Sequence, residues 1–201
     1  MTLLLASTNA GKVREFRRVL PEVQVLTPAD RGLPFVYDER GATFLDNALG
    51  KARHLFAMTG AAAVADDSGL VVPALGGAPG VRSARYGGDL TQERRNLLLL
   101  DALAGAADRS ARFVCCVAVM LADHRLLVAQ ETVEGSIISA PRGAGGFGYD
   151  PIFLPLGAGK TFAEMDGAAK DAISHRGRAL RRLRGVLLDS MSHAERAGRQ
   201  G

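Results

Sequence analysis

Ala61-Ala62-Ala63-Val64-Ala65-Asp66-Asp67-Ser68-Gly69-Leu70 is the stretch on which the reading of this chain turns. Its first half is small and apolar, as a buried strand is. It runs straight into two adjacent carboxylates. Neighbouring carboxylates repel each other and lose hydration when buried, so they are tolerated where a cation compensates them. Strand alternation sends neighbours to opposite faces, so one carboxylate meets a ligand and the other props the loop. Mg²⁺ prefers one or two carboxylates plus substrate phosphates, which this pattern fits. A surface turn of the Asp-Asp-Ser-Gly type is the competing reading. The apolar approach at 61–65 and the exit Leu70-Val71-Val72 argue against it.

Upstream, Thr43 caps an amphipathic helix with Asp46 at the capping-box position. Phe44, Ala48, Ala52, Leu55 and Phe56 face inward, and Gly60 ends the helix. Residues 27–42 form a loop rich in Pro, Gly and charge. Before it, Leu3 to Ala6 reads as a buried strand and Ser7 to Lys12 as a polar turn. A helix to about Leu20 carries Val13, Phe16, Val19 and Leu20 on one face, and Val23 to Leu26 is a short strand.

Downstream, Leu70 to Leu75 reads as a further strand, followed by the loop Gly76 to Gly80. Thr91 caps a helix through Leu103, stopped by Gly105. Arg112 to Leu121 and Leu126 to Val133 form an antiparallel hairpin turned at Asp123-His124, and Ile137 and Ile138 continue that sheet. Gly143 to Asp150 is a second glycine-rich loop, Ile152 to Leu154 a short strand, and residues 162–170 are helical. Ser174 caps the last helix, which runs to about Met191; residues 192–201 are expected to fray. Helical crossovers combined with a long hairpin give an α/β fold whose mixed central sheet is flanked by helices, one domain over residues 1–191.

Composition narrows the function. Hydrophobic residues make up 47% of 201, which excludes wholesale disorder. The net charge of +4 comes from Arg, since Lys occurs only at 12, 51, 160 and 170. That surplus suits an anionic small molecule and lacks the continuous basic face that nucleic acid needs. Cys115 and Cys116 are adjacent and match no zinc spacing, so they are expected as reduced core thiols. The N-terminus lacks a basic signal-peptide start, and no apolar run approaches the roughly 20 residues of a membrane span. A cytoplasmic protein without membrane partners is expected.

Two glycine motifs fail on context. Gly157-Ala158-Gly159-Lys160-Thr161 resembles the end of a P-loop, but Leu154 stands where its first glycine belongs. Gly143-Ala144-Gly145-Gly146-Phe147-Gly148 satisfies the dinucleotide fingerprint by letters, yet Tyr149-Asp150-Pro151 follows where a helix should begin. The second loop still lets backbone approach a ligand.

Other constellations carry chemistry. Ser7, Thr8, Asn9, Gly11 and Lys12 lie at a strand-to-helix turn, where free amides and a partial positive charge suit phosphates. Asp38-Glu39 offers a second carboxylate to a metal, with a solvated acidic turn as the alternative. At Lys170 to Gly177, Ser174 caps a helix whose first turn holds His175 and Arg176. Cations there oppose the helix dipole unless an anion sits with them.

Taken in order, these motifs resemble the inosine triphosphate pyrophosphatase family, the XTP/dITP diphosphatases. The matching pieces are Ala6 to Lys12, Thr43 to Ala48, Ala65 to Leu70, Leu75 to Val81, Ser83 to Tyr86, Gly145 to Phe153 and Ser174 to Gly177. The resemblance implies an elongated, two-lobed α/β domain with its active site in the cleft between lobes, acting as a homodimer. It implies Mg²⁺-dependent conversion of ITP, dITP and XTP to the monophosphate and pyrophosphate. It makes Asp67 the catalytic carboxylate and a metal ligand, with Glu39 or Asp38 as the second. It assigns phosphates to Ser7, Thr8, Asn9, Ala10, Gly11 and Lys12, and contact with the nucleotide to Ser68. Phe147, Gly148, Tyr149, Asp150, Lys170, His175 and Arg176 would bind base and phosphates. The chain departs from the family at Ser7-Thr8, where Thr-Gly is frequent, and at Val133-Glu134, where Trp-Pro is frequent. A nucleotide-binding module without turnover, an RNA-binding protein and a pyrophosphatase for modified pyrimidine nucleotides are the alternatives.

Overall fold

Three consecutive leucines form β1 (Thr2–Leu5), and all three are buried. The computed structural model describes residues 2–121 and 124–197, with side chains through Ser190. Asn9 caps α1 (Ala10–Val19), which returns the chain to β2 (Gln24–Leu26). The Thr43–Asp46 capping box opens α2 (Phe44–Thr59), and Gly60 closes it in a left-handed conformation. β3 (Ala63–Val71), α3 (Gln92–Ala102), β4 (Ser110–Met120), β5 (Leu126–Ile137), β6 (Phe153–Pro155), α4 (Gly167–Ile173) and α5 (His175–Ala197) follow.

The strands form one mixed sheet in the order β2-β1-β3-β4-β5-β6. β1 pairs in parallel with β2 and with β3, and the remaining neighbours are antiparallel. The α/β class with a mixed sheet is therefore as expected.

Alternation sorts the core. On one face Leu3, Leu5, Val64, Cys115 and Val117 pack with Phe16 of α1 and with Leu180, Leu183 and Leu187 of α5. On the other, Leu4, Ala63, Ala65, Cys116 and Ala118 meet Ala48, Ala52 and Leu55 of α2. A third cluster gathers Leu70, Leu99, Phe113, Val133, Phe153 and Phe162. α1 and α2 thus cover opposite faces, and β1 lies between the strands they lead to. Such a switch point opens a crevice at the carboxyl end of parallel strands, where ligands bind in open α/β sheets.

Five local expectations change. Asp66 to Gly69 is the middle of one strand, paired across to Val117, Cys116, Cys115 and Val114. The strand continues with Asp66 compensated by cations from the neighbouring helices and Asp67 held by Asn47, so tertiary context overrides local propensity. The chain turns later, at the short helical turn Pro73–Leu75, which had read as strand. Residues 162–170 split into a turn at Phe162–Glu164 and α4, because Asp166 caps the latter through the Ala169 amide. Ile138 leaves the β5 ladder and donates its N–H to the Ile152 carbonyl. α5 extends to Ala197, past the end read at Met191. Of the hairpin turn, His124 has φ 66°, while Asp123 lies outside the described residues. Cys115 and Cys116 are buried and unbridged, one on each face. Among the described residues no helix is long and apolar enough to cross a membrane.

Candidate active site

β1 stops at Leu5, opposite Val64, while β3 runs on to Val71. The step this leaves holds a cavity of about 680 Å³. Ser7, Thr8, Asn9 and Lys12 form one wall, directly after β1. The Asn9 side chain accepts from the Lys12 amide at 3.1 Å, which fixes the turn. Ala10 and Gly11 stand behind this wall and do not line the cavity. Gly11 acts indirectly: a Cβ there would stand 2.4 Å from the Phe147 ring, so only glycine lets that ring close over α1.

The two carboxylates separate as alternation predicts. Asp66 turns to the α1–α5 face, where Lys12 lies 3.0 Å away and Arg176 donates at 3.0 and 3.2 Å. Burial pushes its carboxyl up, but Lys12, Arg176 and Lys51 outweigh burial and hold it well below the usual carboxylate range. Asp67 turns to α2 and lines the cavity. It accepts from Asn47 at 2.9 Å and from the Ser68 amide at 3.1 Å. Burial raises its affinity for a proton, and the nearby Lys51 and Asn47 only partly offset that. Asp67 is thus the carboxylate left short of positive charge.

The segment before α2 separates the other pair. Leu33, Phe35, Tyr37 and Glu39 are half-buried, while Pro34, Val36, Asp38 and Arg40 are exposed. This is the period of an extended chain. It aims Glu39 into the cavity, where Lys51 donates to it. Asp38 points outward to Arg40 at 2.5 Å and has no part in the wall.

The glycine loop and α4–α5 close the far side. Phe147, Gly148, Tyr149 and Asp150 line the cavity beside Ser68, Lys170, His175 and Arg176. Asp150 accepts from Lys170 at 2.5 Å and from the Phe147 amide at 2.8 Å, so it clamps the loop. The Lys170 ammonium sits 4.6 Å from the Phe147 ring centre. Arg176 is fully buried, pairs with Glu15 and Asp66, and donates to the Ser68 hydroxyl at 2.7 Å. The anion that a cation at this helix start called for is therefore the protein's own carboxylate pair.

His175 stacks on Phe113 with ring centres 4.7 Å apart, and its Nδ1 has no partner. Burial, then the charges of Arg176 and Lys170, hold its pKa well below the ordinary 6.5. In the unfolded chain this imidazole takes a proton as pH falls through about 6.5; in the folded protein it does not. Its contribution to stability is therefore complete above that pH and is lost progressively below it. A His175→Gln variant should show a shallower fall in Tm between about pH 7.5 and 5.5 than the wild type. Parallel Tm curves would remove His175 as the cause.

Lys51, Asn47, Glu15 and Phe113 were not identified from the sequence. Asn47 and Lys51 follow Thr43 at steps of four, and two polar residues flanking the inward Ala48 and Ala52 were a legible signal. Glu15 reads as an ordinary exposed helix residue and is revealed only by its contacts with Lys170 and Arg176.

The model of the Ham1 family matches residues 3–186. A dITP/XTP pyrophosphatase from Treponema denticola is 48% identical over 184 residues, covering 90% of this chain and 95% of that protein. One from Thermus thermophilus is 50% identical over 187 residues, covering 91% and 90%. The structure of the Staphylococcus aureus Ham1 protein superposes with a TM-score of 0.85 at 36% identity, covering 94% of this chain and 100% of that one.

Proposed function

The chain belongs to the Ham1 family, and from that premise we propose that it hydrolyses the triphosphates of deaminated purines, ITP, dITP and XTP, to monophosphate and pyrophosphate. The observation that carries the reading is a single cavity in which Asp67, short of compensating charge, faces Lys12 and the start of α1.

Mg²⁺ fits the donor set. Asp67 and Glu39 are hard oxygen ligands on one cavity, and Asp67 lacks a full counter-charge. Among the described residues no three His, Cys, Asp or Glu side chains gather into a metal cage, so phosphate oxygens would complete the shell. When bound, the ion neutralises charge on the triphosphate.

The chain's own residues supply the rest. Asp67 orients a water and takes its proton as the water oxygen bonds to the α-phosphorus. The bond from that phosphorus to the bridging oxygen breaks, and pyrophosphate leaves with it. Ser7, Thr8, Asn9 and Lys12 hold the phosphate chain, and Lys170 and Arg176 stabilise its growing charge. Phe147 and Tyr149 pack beside the base. The Gly177 amide is taken by the Ser174 hydroxyl, but the His175 and Arg176 amides before it have no intrahelical acceptor, so they can donate to O6 of hypoxanthine or xanthine. Adenine presents an amino group there and would leave those donors unpaired.

A panel of nucleoside triphosphates with Mg²⁺ tests the proposal, scoring pyrophosphate against orthophosphate. ITP, dITP and XTP should release pyrophosphate at rates about 10²-fold or more above ATP. Equal rates on ATP and ITP, or orthophosphate as product, would overturn it. Binding without any product would favour a nucleotide sensor.

A further inference from the structure

Residues 33–40 form a strap beside α2 that belongs to no strand or helix of the sheet. Lys51 and Arg85 grip Glu39 itself, the arginine donating to the Glu39 carbonyl at 3.0 Å, and two further contacts hold the strap on either side of it. At its downstream end the Gly41 amide donates to Asn47 at 2.8 Å, and the same Asn47 side chain donates to Asp67. Upstream, Phe35 and Tyr37 flank His54 with ring centres 5.7 and 5.8 Å away. The Tyr37 hydroxyl reaches furthest: it lies 1.9 Å from where a Cβ of residue 50 would stand. Residue 50 is glycine, in the interior of a 16-residue helix. Glycine weakens a helix interior, so its presence there needs a reason, and the tyrosine resting on it is one.

We infer that Tyr37 is a positioning residue: seated on Gly50, it sets the register of the strap and thereby holds the Glu39 carboxylate in the cavity. Glu39 lies between the two anchors, two residues from each. Because the strap alternates, a slip of one residue would turn Glu39 outward and bring Asp38 or Arg40 to the wall. The Gly41–Asn47 bond fixes the strap after Glu39 and Lys51 and Arg85 grip Glu39 itself, while before it the Phe35 and Tyr37 contacts set which residue of the strap those two cations find there. The inference rests on Glu39 being the second carboxylate of the cavity.

The test is a double-mutant cycle on the full chain. Gly50→Ala favours the helix itself, which offsets part of the lost strap packing, so its Tm should stay within a few degrees of the wild type. It should also unseat the strap. ITP turnover should fall about ten- to hundredfold. Trypsin should cut several-fold faster after Arg40, whose side chain is already exposed and needs only local opening. Tyr37→Ala should produce both changes. In the Tyr37→Ala background, Gly50→Ala should add nothing, because the clash partner is gone. Wild-type turnover or wild-type proteolysis in Gly50→Ala would overturn the inference, as would losses of equal size in both backgrounds. Glu39→Gln separates the two levels. If it retains full turnover, the assignment of Glu39 fails; if it is impaired while Gly50→Ala is not, only the role of Tyr37 fails.

Discussion

Replacing Asp67 by asparagine is expected to lower ITP turnover about 10²–10⁴-fold with the fold intact. Asparagine fills the same space but can neither take a proton from water nor supply anionic charge to a cation. The structural cost is small because the native carboxylate already sits where burial disfavours its charge. The side chain still offers one acceptor to Asn47 or to the Ser68 amide, at a net loss of about 1 kcal/mol for the other bond. Steady-state kinetics at saturating Mg²⁺ and ITP should show the loss in kcat, and thermal unfolding should show a Tm within a few degrees of the wild type. Turnover within threefold of the wild type would remove Asp67 from the chemistry. Asp66→Asn provides the contrast. It leaves Lys12 and Arg176 without their shared carboxylate, so its primary effect should be on stability.

Replacing Arg176 by methionine should cost about 3–5 kcal/mol of folding stability. The guanidinium is 1% exposed and joins Asp66, Glu15 and Ser68. Methionine fills much of the volume and removes the charge. Two buried carboxylates would then be left near each other with lysines but no arginine beside them, Lys12 and Lys51 at Asp66 and Lys170 at Glu15. In the wild type burial pushes both carboxyls up, and Arg176 is a leading cause that holds them below the ordinary carboxylate range, so its loss returns to both much of the cost of burial. Urea unfolding measures the effect. A loss below about 1 kcal/mol would mean that Arg176 is no structural centre and serves the ligand alone. The pair of predictions separates two neighbouring carboxylates: one answers in rate, the other, through its arginine, in stability.

Much of the site could be read from the chain. The Thr43–Asp46 capping box, the Asn9-capped turn and the Ser174 cap all depend on residues three apart. Such contacts are encoded locally, so they are legible without a fold. The Asp66/Asp67 division followed from strand alternation, which is equally local. Asp38 and Glu39 stayed ambiguous for a physical reason. Alternation says only that the two point oppositely; which one points inward depends on what the strap lies against, and that is α2 with Lys51. Ala10 and Gly11 illustrate the same limit. Their place in the motif suggested phosphate contact, yet the Phe147 ring, brought from far along the chain, decides what Gly11 is for.

By itself, then, the sequence determined most of the elements, the caps, the mixed α/β class, and residue types suited to an anionic ligand and a cation. The opening stretch also determined that Asp66 and Asp67 face apart, because that follows from backbone geometry alone. Only the tertiary structure decided that this stretch is one continuous strand. It also decided that Asp66 is compensated by Lys12 and Arg176, and that Asp67 is the one facing the cavity short of counter-charge. The reason is that burial and counter-charge arise from contacts between segments up to 110 residues apart, and no local pattern carries them.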